Sequence, residues 1–228
     1  MNVVVTGANR GIGLGLVHAL LIQGHRVQAT ARTPNTATEL QGLATTHPDQ
    51  LHLHPLDVLD DSSCQRLGAT LADQAVDMLI NNAGVGGAGE ALAALDLVRA
   101  LEVYDTNALG PLRVTRALLP MLERARGRVF NISSMMGSIA DNASGGYYAY
   151  RMSKAALNMA TSCLAEGLRP RGVAVFSIHP GWVQTDMGGA QAPTSVEESV
   201  HKMLELFARL GQEQSGQFHS YEGHPLPW

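Results

Sequence analysis

The amino-acid sequence predicts an α/β protein with one doubly wound parallel sheet of seven strands and helices on both faces. Short runs rich in Val, Ile and Leu alternate with longer segments of helical period, the pattern of strands joined by crossover helices. Hydrophobic residues make up 45% of the 228 residues, enough for a sizeable core. Because no repeat, low-complexity tract or Pro/Ser-rich linker interrupts this pattern, we expect a single domain over residues 1–228.

Seven segments have the length and composition of buried strands. They are residues 2–6, 26–31, 51–55, 76–81, 128–133, 173–179 and 217–221. The segments with helical periodicity are residues 11–23, 62–72, 96–124, 148–168 and 195–210. Strands joined through helices run parallel, and the ligands of such sheets bind outside the carboxyl ends of the strands.

Charge and composition limit the possible partners. The chain has 16 Lys and Arg against 20 Asp and Glu, and its basic residues form no stripe that could neutralise successive phosphates, so we expect no nucleic-acid partner. No apolar run approaches the roughly 20 residues that span a bilayer, so we expect no membrane partner. Cys64 and Cys163 lie apart in helical segments and no secretory leader is evident, which favours reduced thiols and a cytoplasmic location.

A glycine-rich segment follows the first predicted strand, where the first helix begins. Its sequence is TGANRGIG over residues 6–13. Glycines let the backbone turn tightly and approach a pyrophosphate, whose charge the free N–H groups of a helix N-terminus stabilise. The segment predicts dinucleotide contacts from Gly7, Asn9, Arg10, Gly11, Ile12 and Gly13. Its spacing differs from the common GxGxxG fingerprint, so a simple tight connection is the alternative.

The end of the second strand predicts which dinucleotide binds. Folds that hold the free 2′-hydroxyl of NAD place an acid there, but this chain has no acid between Arg32 and Glu39. The guanidinium groups of Arg32 and Arg10 can instead pair with a 2′-phosphate. We therefore expect NADPH/NADP+ as the cofactor, and two solvated surface arginines are the alternative.

Two further strand ends carry candidate cofactor contacts. Asp57 and Val58 follow the third strand, where the carboxylate can accept a hydrogen bond from the adenine amino group; a helix N-terminal acid is the alternative. The fourth strand closes with Asn82, Ala83 and Gly84, small or amide residues that suit a backbone lying close to a ligand. Alone, these three residues could equally form a turn.

Tyr150 and Lys154 lie four residues apart at the start of a helical segment and therefore share one face. A neighbouring cation stabilises a phenolate, and lowering the pKa of Tyr150 from about 10 to about 7 would require roughly 4 kcal/mol, which Lys154 and a positively charged nicotinamide could share. An accidental surface pair is the alternative. Lys154 and Lys202 are the only lysines among the 16 Lys and Arg residues, which favours a specific role for a lysine at this position.

Two other positions complete the candidate catalytic set. Ser134 ends the fifth strand and can donate a hydrogen bond to a carbonyl oxygen, with a turn cap as the alternative. Asn107 lies in a long helical segment although Asn is a poor helix former, which indicates a special role or a local kink. We expect an apolar substrate pocket formed by loop 137–147 together with Met135, Met136, Tyr147, Trp182 and Met187. A short substrate loop is expected near residues 184–195.

Together these motifs resemble the short-chain dehydrogenase/reductases over essentially the whole chain. The motifs TGANRGIG, NNAG, Asn107, NISS, YRMSK and PGWVQT occur in the order and approximate spacing of that family. The runs GSIADN, GG at residues 145–146 and YRMSKAALN, with the closing Pro227 and Trp228, are most similar to C-factor and sniffer-like carbonyl reductases. The resemblance implies a Rossmann-type fold.

The resemblance also implies a role for each matched residue. Tyr150 would protonate a substrate carbonyl as hydride arrives from NADPH, Ser134 would orient the oxygen, and Lys154 would hold the nicotinamide ribose. Asn107 would fix a water that relays protons to Lys154. The nicotinamide end would be contacted by Pro180, Gly181, Val183 and Thr185.

The expected function is NADPH-dependent reduction of aldehydes, ketones or quinones. A dinucleotide-binding signalling or sensor protein without turnover is the alternative from another class, and an oxidising alcohol dehydrogenase differs mainly in direction. His52 and His54 share a strand face, but no third ligand accompanies them, so no metal site is expected. Close helix packing in a homodimer or tetramer would be permitted by Ala149, Ala155, Ala156 and Ala160.

Overall fold

A computed structural model describes residues 1–87 and 91–228. Its strands are β1 (Asn2–Val5), β2 (Arg26–Ala31), β3 (Leu51–Pro55), β4 (Met78–Asn81), β5 (Arg128–Ile132), β6 (Ala174–His179) and β7 (Phe218–Ser220). They form one sheet in the order β3-β2-β1-β4-β5-β6-β7, and every neighbouring pair is parallel. The predicted seven-stranded sheet is confirmed, and each strand lies within its predicted segment.

The helices cover both faces of the sheet. They are α1 (Gly11–Ile22), α2 (Thr38–Thr46), α3 (Asp61–Thr70), α4 (Leu97–Tyr104), α5 (Gly110–Ala125), α6 (Tyr148–Leu168) and α7 (Val196–Arg209). Helices α1, α2 and α7 contribute to one core cluster, and α3, α5 and α6 contribute to the other. Val3 and Val5 belong to the first cluster and Val4 to the second, as strand alternation requires. Within the described ranges, no helix is long and apolar enough to cross a bilayer.

Helix α2 is not predicted by the sequence pattern. Its sequence, TELQGLATT, contains a glycine and three β-branched threonines, all poor helix formers. Leu40 is its buried residue, so there is almost no apolar periodicity to detect. Packing against the sheet stabilises this helix despite its low intrinsic propensity.

The predicted helix over residues 96–124 is wrong in its middle. Helix α4 ends at Tyr104, a π-helical turn spans Asp105–Leu109, and α5 begins at Gly110. In the turn, the Gly110 N–H bonds to the Asp105 carbonyl, five residues back. Pro111 has no N–H, so the Asn107 carbonyl loses its ordinary helical donor. The irregularity that Asn107 indicates is therefore a π turn at the helix centre.

The strand order reverses direction at the centre of the sheet, between β1 and β4. Open α/β sheets bind their ligands in the crevice outside the carboxyl ends of the strands at this switch point. The glycine loop after β1 and the segments that follow β2, β3, β4, β5 and β6 meet at this edge. The topology thus brings together motifs that lie far apart in the sequence.

Candidate active site

A cleft of about 540 Å³ opens along the carboxyl edge of the sheet. Gly181 and Val183 are not part of its lining: Gly181 faces the ring of Tyr221, and Val183 bridges to Thr194. The predicted cofactor residues that do line it are Gly7, Asn9, Arg10, Gly11, Ile12, Gly13, Arg32, Asp57, Val58, Asn82, Ala83, Gly84, Tyr150, Lys154, Pro180 and Thr185. One continuous surface therefore joins the glycine loop to the catalytic candidates.

The glycine loop is packed so closely that two of its positions admit no side chain. Gly7 has a φ of +62°, and a Cβ there would lie 2.8 Å from Ala83 Cα. A Cβ on Gly13 would overlap the Gly7 carbonyl oxygen and lie 2.5 Å from Asn82 Nδ2. The bare backbone leaves the N-terminus of α1 open to a close-lying anion.

Thr6 and Asn82 hold the glycine loop in place. Thr6 Oγ1 accepts hydrogen bonds from the N–H groups of Asn82 and Ala83, each at 3.0 Å. Asn82 Nδ2 donates to the carbonyl oxygens of Thr6 and Gly7 at 2.9 and 3.1 Å. The Asn82 amide therefore fixes the loop rather than pointing to a ligand. Sequence reasoning missed Thr6, although its position directly before the first glycine was a usable signal.

The two candidate arginines have different surroundings. Arg10 Nη1 lies 2.6 Å from Asp186 Oδ2, and both side chains are largely exposed. Arg32 lines the cleft at the end of β2 and has no ion-pair partner in the described part of the chain. Arg32 is thus available to an incoming anion, whereas Arg10 spans the cleft to the segment after β6.

One carboxylate oxygen of Asp57 accepts a backbone hydrogen bond. Its Oδ1 accepts a hydrogen bond from the Leu59 N–H at 3.0 Å. The cap of α3 is a different residue, Asp60, whose side chain accepts from the Ser62 N–H at 2.8 Å. The helix-cap alternative for Asp57 is therefore wrong, and the carboxylate lies in the cleft lining.

The predicted pair of Tyr150 and Lys154 lies at one end of the cleft. Lys154 Nζ donates to the Ile132 carbonyl oxygen at 2.8 Å, and burial lowers the pKa of Lys154 to about 8. Desolvation raises the pKa of Tyr150, and a hydrogen bond with the Ser134 side chain opposes that rise. Among the protein's own groups desolvation of the phenolate outweighs its favourable contacts, and the expected lowering of the Tyr150 pKa, which includes a positively charged nicotinamide, stays a prediction.

Ser134 serves two interactions at once. Its Oγ accepts a hydrogen bond from the Met136 N–H at 3.1 Å, which caps the short 3₁₀ turn after β5, and the same side chain bonds with Tyr150. The turn packs on α6 so closely that a Cβ on Gly137 would lie 2.7 Å from the Lys154 carbonyl carbon. The turn thus fixes Ser134 against the helix that carries Tyr150 and Lys154.

Asn107 is buried and links two parts of the site. Its Nδ2 donates to the Val85 carbonyl at 2.9 Å and to Ser153 Oγ at 3.0 Å, and its Oδ1 accepts from the Val85 N–H at 2.8 Å. Ser153 Oγ in turn donates to the Tyr150 carbonyl at 2.8 Å. The Asn107 side chain therefore ties the segment after β4 to the first turns of α6.

Of the five predicted substrate-pocket residues, one lines the cleft. Met187 lines the cleft, and a Cβ on Gly86 would lie 3.2 Å from its Cγ. The other four, which are Met135, Met136, Tyr147 and Trp182, are not in the cleft lining, and Met136 is only partly buried while the remaining three are exposed. The pocket walls formed by these four residues thus stay a prediction.

The two histidines on β3 differ in their hydrogen bonds, and His52 Nε2 is buried without a partner among the described residues. His54 Nε2 lies 2.7 Å from Gln28 Oε1. Among residues 1–87 and 91–228, no group of three or more His, Cys, Asp or Glu side chains is arranged to hold a metal ion.

A glycine loop at the switch point of a doubly wound sheet, with Ser134, Tyr150 and Lys154 at the same edge, defines the class of protein as a dinucleotide-dependent oxidoreductase. Residues 1–195 match the family model described as short chain dehydrogenase. The chain belongs to this family.

Three relatives illustrate the similarity. The C-signal protein of Myxococcus xanthus is 51% identical over 154 residues, which cover 67% of this chain and 93% of that protein. Carbonyl reductase Sniffer of D. melanogaster superposes with a TM-score of 0.95 at 36% identity, covering 100% of this chain and 99% of the other. An NADPH-bound carbonyl reductase from chicken fatty liver superposes with a TM-score of 0.94 at 40% identity, covering 100% and 98%. The resemblance to C-factor and sniffer-like reductases is confirmed.

Proposed function

We propose that this chain reduces aldehydes, ketones or quinones with NADPH, using Tyr150 as the general acid. The observation that carries the proposal is the meeting of three groups at one end of the cleft. Ser134 and Lys154 are buried, whereas Tyr150 keeps part of its surface open to the cleft. The similarity to two proteins described as carbonyl reductases supports the substrate class.

The cleft suits NADPH in three respects. The N-terminus of α1 is open to a pyrophosphate, the end of β2 carries no acid, and Arg32 is available to a 2′-phosphate. Bound NADPH supplies the hydride. We assign the nicotinamide end to the segment after β6, where Pro180 and Thr185 line the cleft.

The protein groups divide the remaining chemistry. Ser134 donates a hydrogen bond to the carbonyl oxygen and orients it, and Tyr150 gives its phenolic proton to that oxygen. The raised pKa of Tyr150 keeps the phenol protonated at neutral pH, which is the form that reduction consumes. The Lys154 ammonium stabilises the phenolate that remains. Because the pKa of Lys154 is about 8, this support weakens as the pH rises above 8.

The proton that Tyr150 gives up must be replaced. The Asn107 side chain is committed to Val85 and Ser153, but its backbone carbonyl lacks the ordinary i+4 helical donor because residue 111 is proline. We propose that Lys154 returns a proton to the Tyr150 phenolate after the reduction and regains it through a water held by this carbonyl. The role of Asn107 is then carried by its backbone, while its side chain positions the segment after β4.

A dinucleotide-binding sensor without turnover is the second candidate. The 51% identity to a protein named C-signal favours it. A sensor needs the glycine loop and Arg32, but it has no use for a phenol, an ammonium and a hydroxyl placed together at the nicotinamide end. The presence of all three favours the enzyme.

A screen of NADPH oxidation against a panel of aldehydes, ketones and quinones tests the proposal. Turnover of at least one carbonyl class by the parent protein is the expected result. Tight NADPH binding without reduction of any compound in the panel would contradict the enzymatic function and favour the sensor without turnover.

A further inference from the structure

Arg151 lies directly after Tyr150 in the first turn of α6 and reaches back over the segment that precedes the helix. Its Nη2 donates to Ser144 Oγ at 2.8 Å, its Nε to the Gly145 carbonyl at 3.2 Å and its Nη1 to the Met136 carbonyl at 3.4 Å. One guanidinium thus joins both ends of segment 136–145 to α6. Among the described residues it has no carboxylate partner, so an ion pair does not account for its position.

The segment that Arg151 contacts enters α6 through an unusual backbone. Gly145, Gly146 and Tyr147 have successive φ values of +64°, +65° and +49°. Tyr147 is not a glycine and adopts the left-handed region at an energetic cost, so other contacts must hold it there. The Arg151 side chain bonds to Gly145, the first residue of this stretch, and to Ser144 directly before it.

The far half of the segment is fixed independently. The Trp228 carbonyl accepts hydrogen bonds from the Ala140 N–H at 3.0 Å and from Ser138 Oγ at 3.3 Å. Residues 141–145 are exposed, and the one side-chain bond within that stretch runs from the Gly145 N–H to Asn142 Oδ1. Arg151 is therefore the side-chain anchor of the half that leads into α6.

Met136 connects this anchor to the catalytic set. Its N–H donates to Ser134 Oγ at 3.1 Å, and its carbonyl accepts from Arg151. The same peptide segment thus contacts the group that would orient the substrate and the residue that follows the general acid.

We propose that Arg151 is a positioning residue that holds segment 136–145 as a preformed wall beside Tyr150 and thereby sets the affinity for bulky carbonyl substrates. The proposal rests on the carbonyl reductase function argued above and on the predicted pocket wall, because residues 136–145 lie outside the cleft lining. A large substrate needs the wall in place before it binds, because ordering a loose loop costs binding free energy. A small aldehyde reaches Tyr150 without touching the wall.

The test compares Arg151→Met and Arg151→Lys with the parent, using one bulky aromatic ketone or quinone and one small aldehyde. In Arg151→Met we expect the KM for the bulky substrate to rise about tenfold, equivalent to about 1.4 kcal/mol. We expect kcat, the Kd for NADPH and the KM for the small aldehyde to stay within about twofold. The KM of Arg151→Lys for the bulky substrate should lie between those of the parent and Arg151→Met, because a lysine keeps the charge but cannot reach three acceptors at once.

Arg169→Met is the matched control, since Arg169 follows the other end of α6 and pairs with Glu166 on the surface. It should leave every parameter unchanged. Hydrogen exchange of residues 138–147 gives a readout besides activity, and it should accelerate in Arg151→Met but not in Arg169→Met.

The outcomes separate this proposal from the one on which it rests. A parent protein that reduces no carbonyl overturns the reductase function and, with it, the role in substrate affinity. An active parent whose bulky-substrate KM is unchanged in Arg151→Met overturns the positioning role alone. A fall in kcat equal for both substrates would make Arg151 part of the support of Ser134 and would also contradict the wall.

Discussion

Lys154 lies with its ammonium 5.6 Å from the centre of the Tyr150 ring and inside the protein rather than on its surface. The charge faces a phenol and the Ile132 carbonyl. A buried ammonium costs stability unless its contacts compensate, and the lowered pKa of Lys154 indicates that here they do not compensate fully. The fold thus carries an unfavourable charge where the chemistry needs one.

This cost makes stability depend on pH in a definite direction. The pKa of Lys154 is 10.5 in the unfolded chain and about 8 in the fold, so the folded state binds this proton less tightly. The destabilisation, about 3 kcal/mol, is complete below pH 8 and disappears as the pH rises from 8 to 10.5. Lys154→Met has no such group and should lack this pH dependence.

Urea unfolding of the parent and of Lys154→Met at about pH 7 and about pH 9.5 measures the effect. The free energy of unfolding of the variant relative to the parent should fall by about 2 kcal/mol between the two pH values. The same variant should also bind NADPH less tightly, since Lys154 is assigned to the ribose. A relative stability that does not change with pH would contradict the buried, destabilising ammonium.

Arg32 should determine the choice of cofactor. NADPH should support turnover at least about tenfold better than NADH, because a charge-assisted hydrogen bond contributes roughly 1.5 to 3 kcal/mol. Arg32→Asp should reverse the preference or abolish it, since a carboxylate repels a 2′-phosphate and accepts from a 2′-hydroxyl. The measurement is kcat/KM for each cofactor, with Arg169→Asp as the surface control. Equal efficiency of the parent with both cofactors would refute the assignment.

Gly13→Ala should abolish or severely weaken NADPH binding. The added Cβ overlaps the Gly7 carbonyl oxygen, so the loop must move away from the end of β4. Gly42→Ala is the matched control, because a Cβ on this residue of α2 meets nothing within 4 Å. It should keep NADPH affinity and gain roughly 0.5 to 1 kcal/mol in stability. Fluorescence titration of NADPH and thermal unfolding of both variants check these outcomes, and unchanged affinity in Gly13→Ala would show that the loop does not bind the cofactor.

The strands and most cofactor positions can be predicted from the sequence because each is determined by residues that are close together in the chain. A buried parallel strand is a short apolar run, and the residue that follows it is bound to lie at the carboxyl edge. Arg32, Asp57 and Gly84 follow from that rule alone, and all three line the cleft. Helix α2 cannot be found in this way, since its single buried residue, Leu40, leaves no periodic signal.

Features that depend on tertiary packing cannot be predicted from the sequence pattern. The π turn around Asn107 replaces a helix that the periodicity predicts, and its local signals, Asn107 and Pro111, do not specify a π turn. The pKa of Tyr150 depends on how far desolvation outweighs the hydrogen bond with Ser134, which spacing does not determine. Trp182 has the composition of a pocket residue, yet its indole N–H donates to the Gly188 carbonyl at 2.7 Å and its side chain is exposed.

Tyr150→Phe tests the central claim most directly, because it removes one hydroxyl and keeps the ring, the helix and the cofactor cleft. Steady-state reduction of an active carbonyl, measured alongside NADPH titration by fluorescence, separates proton transfer from binding. We expect a loss of about a hundred- to ten-thousandfold in kcat, with the Kd for NADPH unchanged within about twofold. A Tyr150→Phe protein with undiminished turnover would contradict that claim.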